Sequence, residues 1–218
     1  MVRRRVAVLI SGSGSNLQAL IDAGTRSDSA AEIVLVVSNR ADAFGLVRAE
    51  RAGIPAVVVD HRHHPDRAAF EAAIMAELHA AEVEIVCLAG FMRILTPGFV
   101  EAWRDRMLNI HPSLLPAFRG LHTHARALAA GVLVHGCTVH LVRPELDDGP
   151  ILVQGIVPVL PEDDEARLAA RVLELEHRCY PLALQLLASG AVRVAGERVE
   201  AAAPRLLRHP LLKQSMEG

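Results

Sequence analysis

Apolar residues along the chain fall into two alternating patterns. Arg5 to Ile10, Ile33 to Val37, Ala56 to Val59, Ile85 to Ala89 and Arg106 to Ile110 are short, nearly continuous apolar runs. Such runs predict strands buried on both faces. Between them, apolar positions recur at helical spacing. Leu17, Leu20 and Ile21 follow the first run, and Phe70, Ile74 and Leu78 fall four apart between Pro65 and Ala81, which lines one face of a helix. A further helix is predicted from Ala43 to Ala52, closed by Gly53 where a left-handed cap costs little. Strands alternating with helices predict right-handed crossovers. The expected fold is therefore α/β: a Rossmann-like, doubly wound, mostly parallel sheet with helices on both faces.

Past residue 130 the pattern changes. Gly136 to Val142 and Ile151 to Val159 read as two strands joined by the polar turn Pro144 to Pro150, a hairpin appended to the parallel sheet. Glu162 to Leu187 carries a helical stripe in Leu168, Val172 and Leu175, and Pro181 is expected to kink or divide that helix. From Ala201 onward the end of the chain is expected to fray. There is no internal repeat, low-complexity stretch or linker, so one domain over 1–218 is expected. Its halves are 1–108 and 109–200, with a tail at 201–218.

The 218 residues are 51% hydrophobic with mean hydropathy +0.28, enough to bury a substantial core. With 23 basic and 25 acidic residues the formal net charge is -2, so no electrostatic footprint for nucleic acid is present. Cys87, Cys137 and Cys179 lie far apart in apolar stretches, without a Cys-x-x-Cys pair, which predicts buried thiols in a reducing compartment. The apolar run after Arg3-Arg4-Arg5 ends at Ser11 and is too short for a signal peptide or a membrane span. The expected location is the cytoplasm, with no membrane partner.

Two segments carry candidate chemistry. In Ser11-Gly12-Ser13-Gly14-Ser15-Asn16, flexible backbone and the start of a helix converge where N–H groups and the helix dipole favour an anion. Gly14, Ser15 and Asn16 are the candidate phosphate ligands. The same residues also fit a tight turn with a Ser or Asn helix cap. A dinucleotide fingerprint fails here, since the third glycine position is Leu17 and the second strand ends Val37-Ser38-Asn39 without an acidic residue.

In the second segment, Asn109-Ile110-His111-Pro112 closes a predicted strand, because Pro112 cannot continue a ladder. His111 should then sit just past a strand's carboxyl end, where open α/β sheets bind ligands. Asp147 follows on the Pro144 to Pro150 turn. An amide, an imidazole and a carboxylate are suited to guiding protons through a tetrahedral intermediate. His140 alternates with apolar neighbours and fits either a site-lining or a core position. Of the 11 histidines, His61-Arg62-His63-His64 and His122-Thr123-His124 form clusters without a closed ligand set. Solvated loop histidines and no metal are expected.

Taken in order, these motifs resemble the small, folate-dependent phosphoribosylglycinamide formyltransferases of purine synthesis. The resemblance runs through Val8-Leu9-Ile10-Ser11-Gly12, Ser38-Asn39-Arg40-Ala41-Asp42-Ala43, Leu88-Ala89-Gly90-Phe91-Met92-Arg93 and Asn109 to Pro116. It continues through Gly120-Leu121-His122-Thr123-His124 and Glu176-His177. It implies a formyltransferase domain that moves the formyl group of 10-formyltetrahydrofolate, a co-substrate, to the amine of glycinamide ribonucleotide, as a monomer or homodimer. Asn109, His111 and Asp147 would be catalytic, Gly14, Ser15 and Asn16 would hold the phosphate, and Glu176 would meet the ribose hydroxyls. Phe91, Met92, Arg93, Ile94 and Leu95 would form the pterin pocket together with Asn109. Arg67 and Arg93 would meet folate carboxylates, whose planar shape suits Arg.

Two positions depart from the family pattern. Asp148 follows the catalytic Asp where the family usually has glycine, so a residue that would need a left-handed backbone is expected there, or a shifted loop. Leu173 stands where some members carry a polar residue near the phosphate. The alternatives are hydrolysis of 10-formyltetrahydrofolate, formylation of methionyl-tRNA, or a non-catalytic nucleotide-binding protein. The last would need the phosphate loop but not Asn109, His111 and Asp147 together.

Overall fold

Residues 2–202 and 205–214 are described by a computed structural model. In β1 (Arg4–Ile10) every residue from Val6 to Ile10 is at 0% exposure, and a strand apolar on both faces belongs in the middle of a sheet. β1 lies there, parallel to both β2 (Ala31–Ser38) and β4 (Ile85–Leu88). β3 (Ala56–Val58) closes one edge beyond β2. On the other side follow β5 (Met107–His111), β6 (Val134–Leu141), β7 (Ile151–Pro158) and β10 (Leu206–Arg208). The resulting eight-stranded order is β10-β7-β6-β5-β4-β1-β2-β3. Only β6 runs antiparallel to its neighbours, so the expected doubly wound, mostly parallel sheet with its appended hairpin is what forms.

Winding outward from β1 to β3 and then back across to β4 creates a switch point between β1 and β4. Ligands of open α/β sheets bind outside the strand carboxyl ends at such a point. The helices are α1 (Ser15–Gly24), α2 (Phe44–Arg51), α3 (Arg67–Ala80), α4 (Pro97–Ala102), α5 (Thr123–Ala129), α6 (Glu165–Ala188) and α7 (Leu211–Gln214). Alternate residues of β1 feed two cores, as strand pleating requires. Val6, Val8 and Ile10 join the cluster that contains Leu17 and Leu20 of α1 and Leu168 and Val172 of α6. Ala7 and Leu9 join Phe70, Ile74 and Leu78 of α3 and Phe99 of α4 on the opposite face.

Three sequence expectations need correction. α6 is a single 24-residue helix with Pro181 inside it, not divided there. A proline removes one hydrogen bond and costs about 3 kcal/mol. Here Leu168, Val172, Leu175, Cys179 and Ala183, all at 0% exposure, bind the helix to the sheet on both sides of the proline. The adjacent Tyr180 hydroxyl donates to the carbonyls of Leu88 and Leu108, 3.0 and 3.2 Å away, tying α6 to β4 and β5. The end of the chain is not frayed at residues 206–208, which add a parallel strand to β7. Arg205 anchors that strand by donating to the carbonyls of Ile151, Leu152 and Val199. Residues 203–204 and 215–218 of the expected tail lie outside the described residues. Finally, His111 is the last residue of β5 and not the first beyond it.

The structure also holds elements not foreseen. Thr96 caps α4 by accepting from the Phe99 N–H at 3.3 Å, and Pro97 opens the helix, a position where its missing N–H is harmless. β8 (Val192–Ala195) and β9 (Arg198–Ala201) pair antiparallel across a turn at Gly196, φ +62.

Candidate active site

At the carboxyl end of β1 the chain enters the glycine loop and α1. Gly14 is the helix N-cap with φ 69, and no side chain caps α1, so the Ser or Asn cap allowed by the sequence does not form. Glycine is required at residue 14 for two reasons. A left-handed backbone is strained for other residues, and a Cβ there would stand 2.7 Å from Cα of Gly45 at the start of α2. Arg48 of α2 braces the loop by donating to the Ser13 carbonyl at 2.9 Å. The first-turn N–H groups of α1, with the positive end of its dipole, therefore face outward without a side-chain cap, as anion binding needs.

Asn16 donates through Nδ2 to Glu176 Oε2 at 2.7 Å, joining α1 to α6. Its Oδ1 is buried without a partner among the described residues. Glu176 is 8% exposed, and burial raises its pKa while the Asn16 bond works against that shift. An acid with a raised pKa holds its proton more tightly folded than unfolded, so its contribution to stability is full below pH 4.5, the usual value, and is lost as pH rises through the folded value. Glu176→Gln is therefore expected to melt higher than wild type at pH 8, with the gap closing toward pH 4.5. Equal melting temperatures at both pH values, by scanning calorimetry, would refute this.

A second link crosses the switch point. Ser11 Oγ donates to Asn39 Oδ1 at 2.6 Å and accepts from the Met92 N–H at 2.8 Å. It thereby fixes the 91–95 stretch beside the glycine loop. Met92 and Ile94 are each 67% exposed, Leu95 is buried and Phe91 half-buried. Arg67 opens α3 and Arg93 lies within this stretch. Both are exposed, and neither side chain makes a hydrogen bond or ion pair among the described residues.

Asn109 and His111 alternate with Ile110 on β5, so both project from one face of the sheet. Asn109 is registered against His140 of β6, and its Nδ2 meets His140 Nε2 at 3.2 Å. His140 Nδ1 lies 3.0 Å from the Leu141 carbonyl, which can only accept. The Nδ1–H tautomer satisfies both contacts, with Nε2 accepting from Asn109. Burial lowers the His140 pKa and keeps that ring neutral. Asn109 thus spends one amide hydrogen on His140 and keeps the other for a ligand.

His111 is held from two sides. Its Nε2 lies 3.0 Å from the Phe118 carbonyl and its Nδ1 lies 3.4 Å from Asp147 Oδ2. Both neighbours only accept, so a cationic ring donates at both nitrogens and a neutral ring at one. Asp147 Oδ2 also accepts from the Gly120 N–H at 2.9 Å, and Oδ1 lies 3.9 Å from His140 Nε2. His111, His140 and Asp147 are 6%, 2% and 8% exposed, a setting where charge interactions are weakly screened. Asn109, His111 and Asp147 converge as expected, and Asn16 meets Glu176.

The left-handed backbone expected at Asp148 is found one residue earlier, at Asp147, φ 52. Asp148 instead turns its carboxylate to Arg119. Phe118 and Gly120 were not foreseen, because they act through backbone groups that no residue type announces. His124 and His135 stack edge to face at 5.3 Å, with His135 pushed down to about 4 by burial. Among the described residues no group of three or more His, Cys, Asp or Glu could hold a metal ion, and no helix is long and apolar enough to cross a membrane.

An uncapped helix start and an amide–imidazole–carboxylate cluster along a sheet edge are the parts of an α/β enzyme that acts at a carbonyl carbon. A family model described as formyl transferase matches residues 4–184, and the chain belongs to that family. It is 46% identical over 189 residues to phosphoribosylglycinamide formyltransferase of Escherichia coli strain K12, covering 87% of this chain and 89% of that one. It is 54% identical over 205 residues to the trifunctional purine biosynthetic protein adenosine-3 of Drosophila pseudoobscura pseudoobscura. That match covers 93% of this chain but only 15% of the length of that relative. Among solved structures, glycinamide ribonucleotide transformylase 1 from Symbiobacterium toebii superposes with a TM-score of 0.89 at 47% identity. The match covers 92% of this chain and 95% of that one.

Proposed function

We propose that this chain transfers the formyl group of 10-formyltetrahydrofolate to the amine of glycinamide ribonucleotide, giving formylglycinamide ribonucleotide and tetrahydrofolate. The observation that carries the reading is the cluster of half-buried Asn109 with buried His111 and Asp147, on the same sheet edge as the glycine loop. The ribonucleotide amine attacks the formyl carbon, and the carbonyl oxygen becomes an oxyanion. The free amide hydrogen of Asn109 donates to it, and His111 donates when it exchanges its Phe118 bond for the substrate. Collapse of the tetrahedral intermediate breaks the bond to the folate nitrogen. One proton leaves the attacking amine and one reaches that nitrogen, with His111 and Asp147 as the adjacent acid–base groups.

The remaining residues divide by chemistry. Backbone N–H groups of Gly14, Ser15 and Asn16 receive the phosphate, and the Glu176 carboxylate receives ribose hydroxyls. Phe91, Met92, Arg93, Ile94, Leu95 and Asn109 hold the folate head, and Arg67 and Arg93 its carboxylates. In this reading residues 1–108 supply the phosphate site and 109–200 the catalytic groups, with a cytoplasmic location. A spectrophotometric assay with glycinamide ribonucleotide and 10-formyltetrahydrofolate tests it. Tetrahydrofolate release that depends on the ribonucleotide is expected. Equal release without the ribonucleotide would identify a hydrolase, and no release at all would sink the proposal.

A further inference from the structure

His111 is gripped by two residues with left-handed backbones, Phe118 at φ 54 and Asp147 at φ 52. Neither is glycine, so each conformation carries a local cost and persists only if its surroundings hold it. Asp147 itself is buried, but residues 144–146 just before it are exposed. A cleft of about 420 Å³ opens there, lined among others by Leu115, Pro116, Ile151, Glu197 and Val199, and Leu146 is 59% exposed. The residue directly after Phe118 is Arg119, and the residue directly after Asp147 is Asp148. These two form an ion pair across the mouth of the cleft. Beside it, the Gly120 N–H donates to Asp147, and Arg126 of α5 donates to the Arg119 carbonyl at 2.6 Å.

We propose that the Arg119–Asp148 ion pair is a positioning clamp that couples the two loops on either side of His111, and so sets the placement of the Asp147 carboxylate. The inference rests on the proposed formyl transfer for its kinetic consequence alone. Both side chains are partly exposed, at 42% and 45%, so each link is modest and salt-sensitive. Neither group touches the reacting atoms. Their loss shifts how often the loops are aligned and leaves the cluster's chemistry in place.

Asp148→Asn and Arg119→Gln are each expected to lower kcat about three- to fivefold, with KM for both substrates unchanged. The double variant should be no worse than either single one, and the reversed pair, Arg119→Asp with Asp148→Arg, should recover most of the loss. Added NaCl should bring wild-type kcat toward the variants while leaving theirs flat. Arg198→Gln, on the same cleft, should keep wild-type kcat. Independently of turnover, hydrogen exchange of the Gly120 amide, followed by NMR, should quicken in Asp148→Asn. Wild-type kcat in Asp148→Asn, or unchanged Gly120 exchange, would overturn the clamp. Quickened exchange in a protein without turnover would leave the clamp standing and remove the formyl-transfer reading instead.

Discussion

With His111 replaced by Asn, kcat is expected to fall by about 10²–10⁴-fold, the range supplied by a positioned acid–base group, with little change in ribonucleotide affinity. The Asn amide stands where Nδ1 stood and can still donate to Asp147, whereas the Phe118 carbonyl loses its partner. What disappears is a ring able to hold a proton while facing both the Asp147 carboxylate and a substrate oxygen. In the proposed reading the ribonucleotide phosphate and ribose groups meet the glycine loop and Glu176, on other elements, which is why kcat and affinity should separate. Steady-state kinetics with a calorimetric titration of the ribonucleotide measure both. Full kcat in the variant would remove His111 from the chemistry, and an equal loss in affinity would make it a binding residue.

Gly149→Ala is expected to have a comparably large effect through geometry alone. A Cβ at residue 149 would lie 1.6 Å from the Leu141 carbonyl oxygen, and the two backbones are held together by the Leu141 N–H to Pro150 carbonyl bond at 2.9 Å. The loop must move by more than an ångström to relieve that overlap, and it carries Asp147 two residues away. Misplacement on that scale costs about 100-fold in rate. Overpacking of this kind also costs about 1–3 kcal/mol of stability. A drop in kcat with a lowered melting temperature is therefore expected, whereas wild-type kcat would mean that the loop does not position Asp147.

How much of this could be read from the sequence depended on whether a feature belongs to one run of residues or to several. β1 and α3 were plain because Val6 to Ile10 and Phe70, Ile74 and Leu78 each carry their own periodicity, and both are buried as the patterns require. Pro181 does not divide α6, because its local cost is set against sheet contacts on both sides, which no single segment reveals. The strand at 206–208 was missed because its pairing partner, β7, lies far earlier in the chain. In the site, Asn109, His111 and Asp147 were recognisable by residue type. The Phe118 carbonyl, the Gly120 N–H and the neutral tautomer of His140 depend on how the loops fold over the sheet.

The bond between Asn16 and Glu176 joins residues 160 positions apart. At synthesis rates of about 5–20 residues per second, the glycine loop leaves the ribosome roughly 8–30 s before the helix that completes its pocket. During that interval the early strands can pair, yet Asn16 lacks its Glu176 partner. In the proposed reading, docking of α6 is thus the event that makes the nascent chain competent for the ribonucleotide. A ligand added during refolding should speed none of the earlier steps and stabilise only what exists after that one.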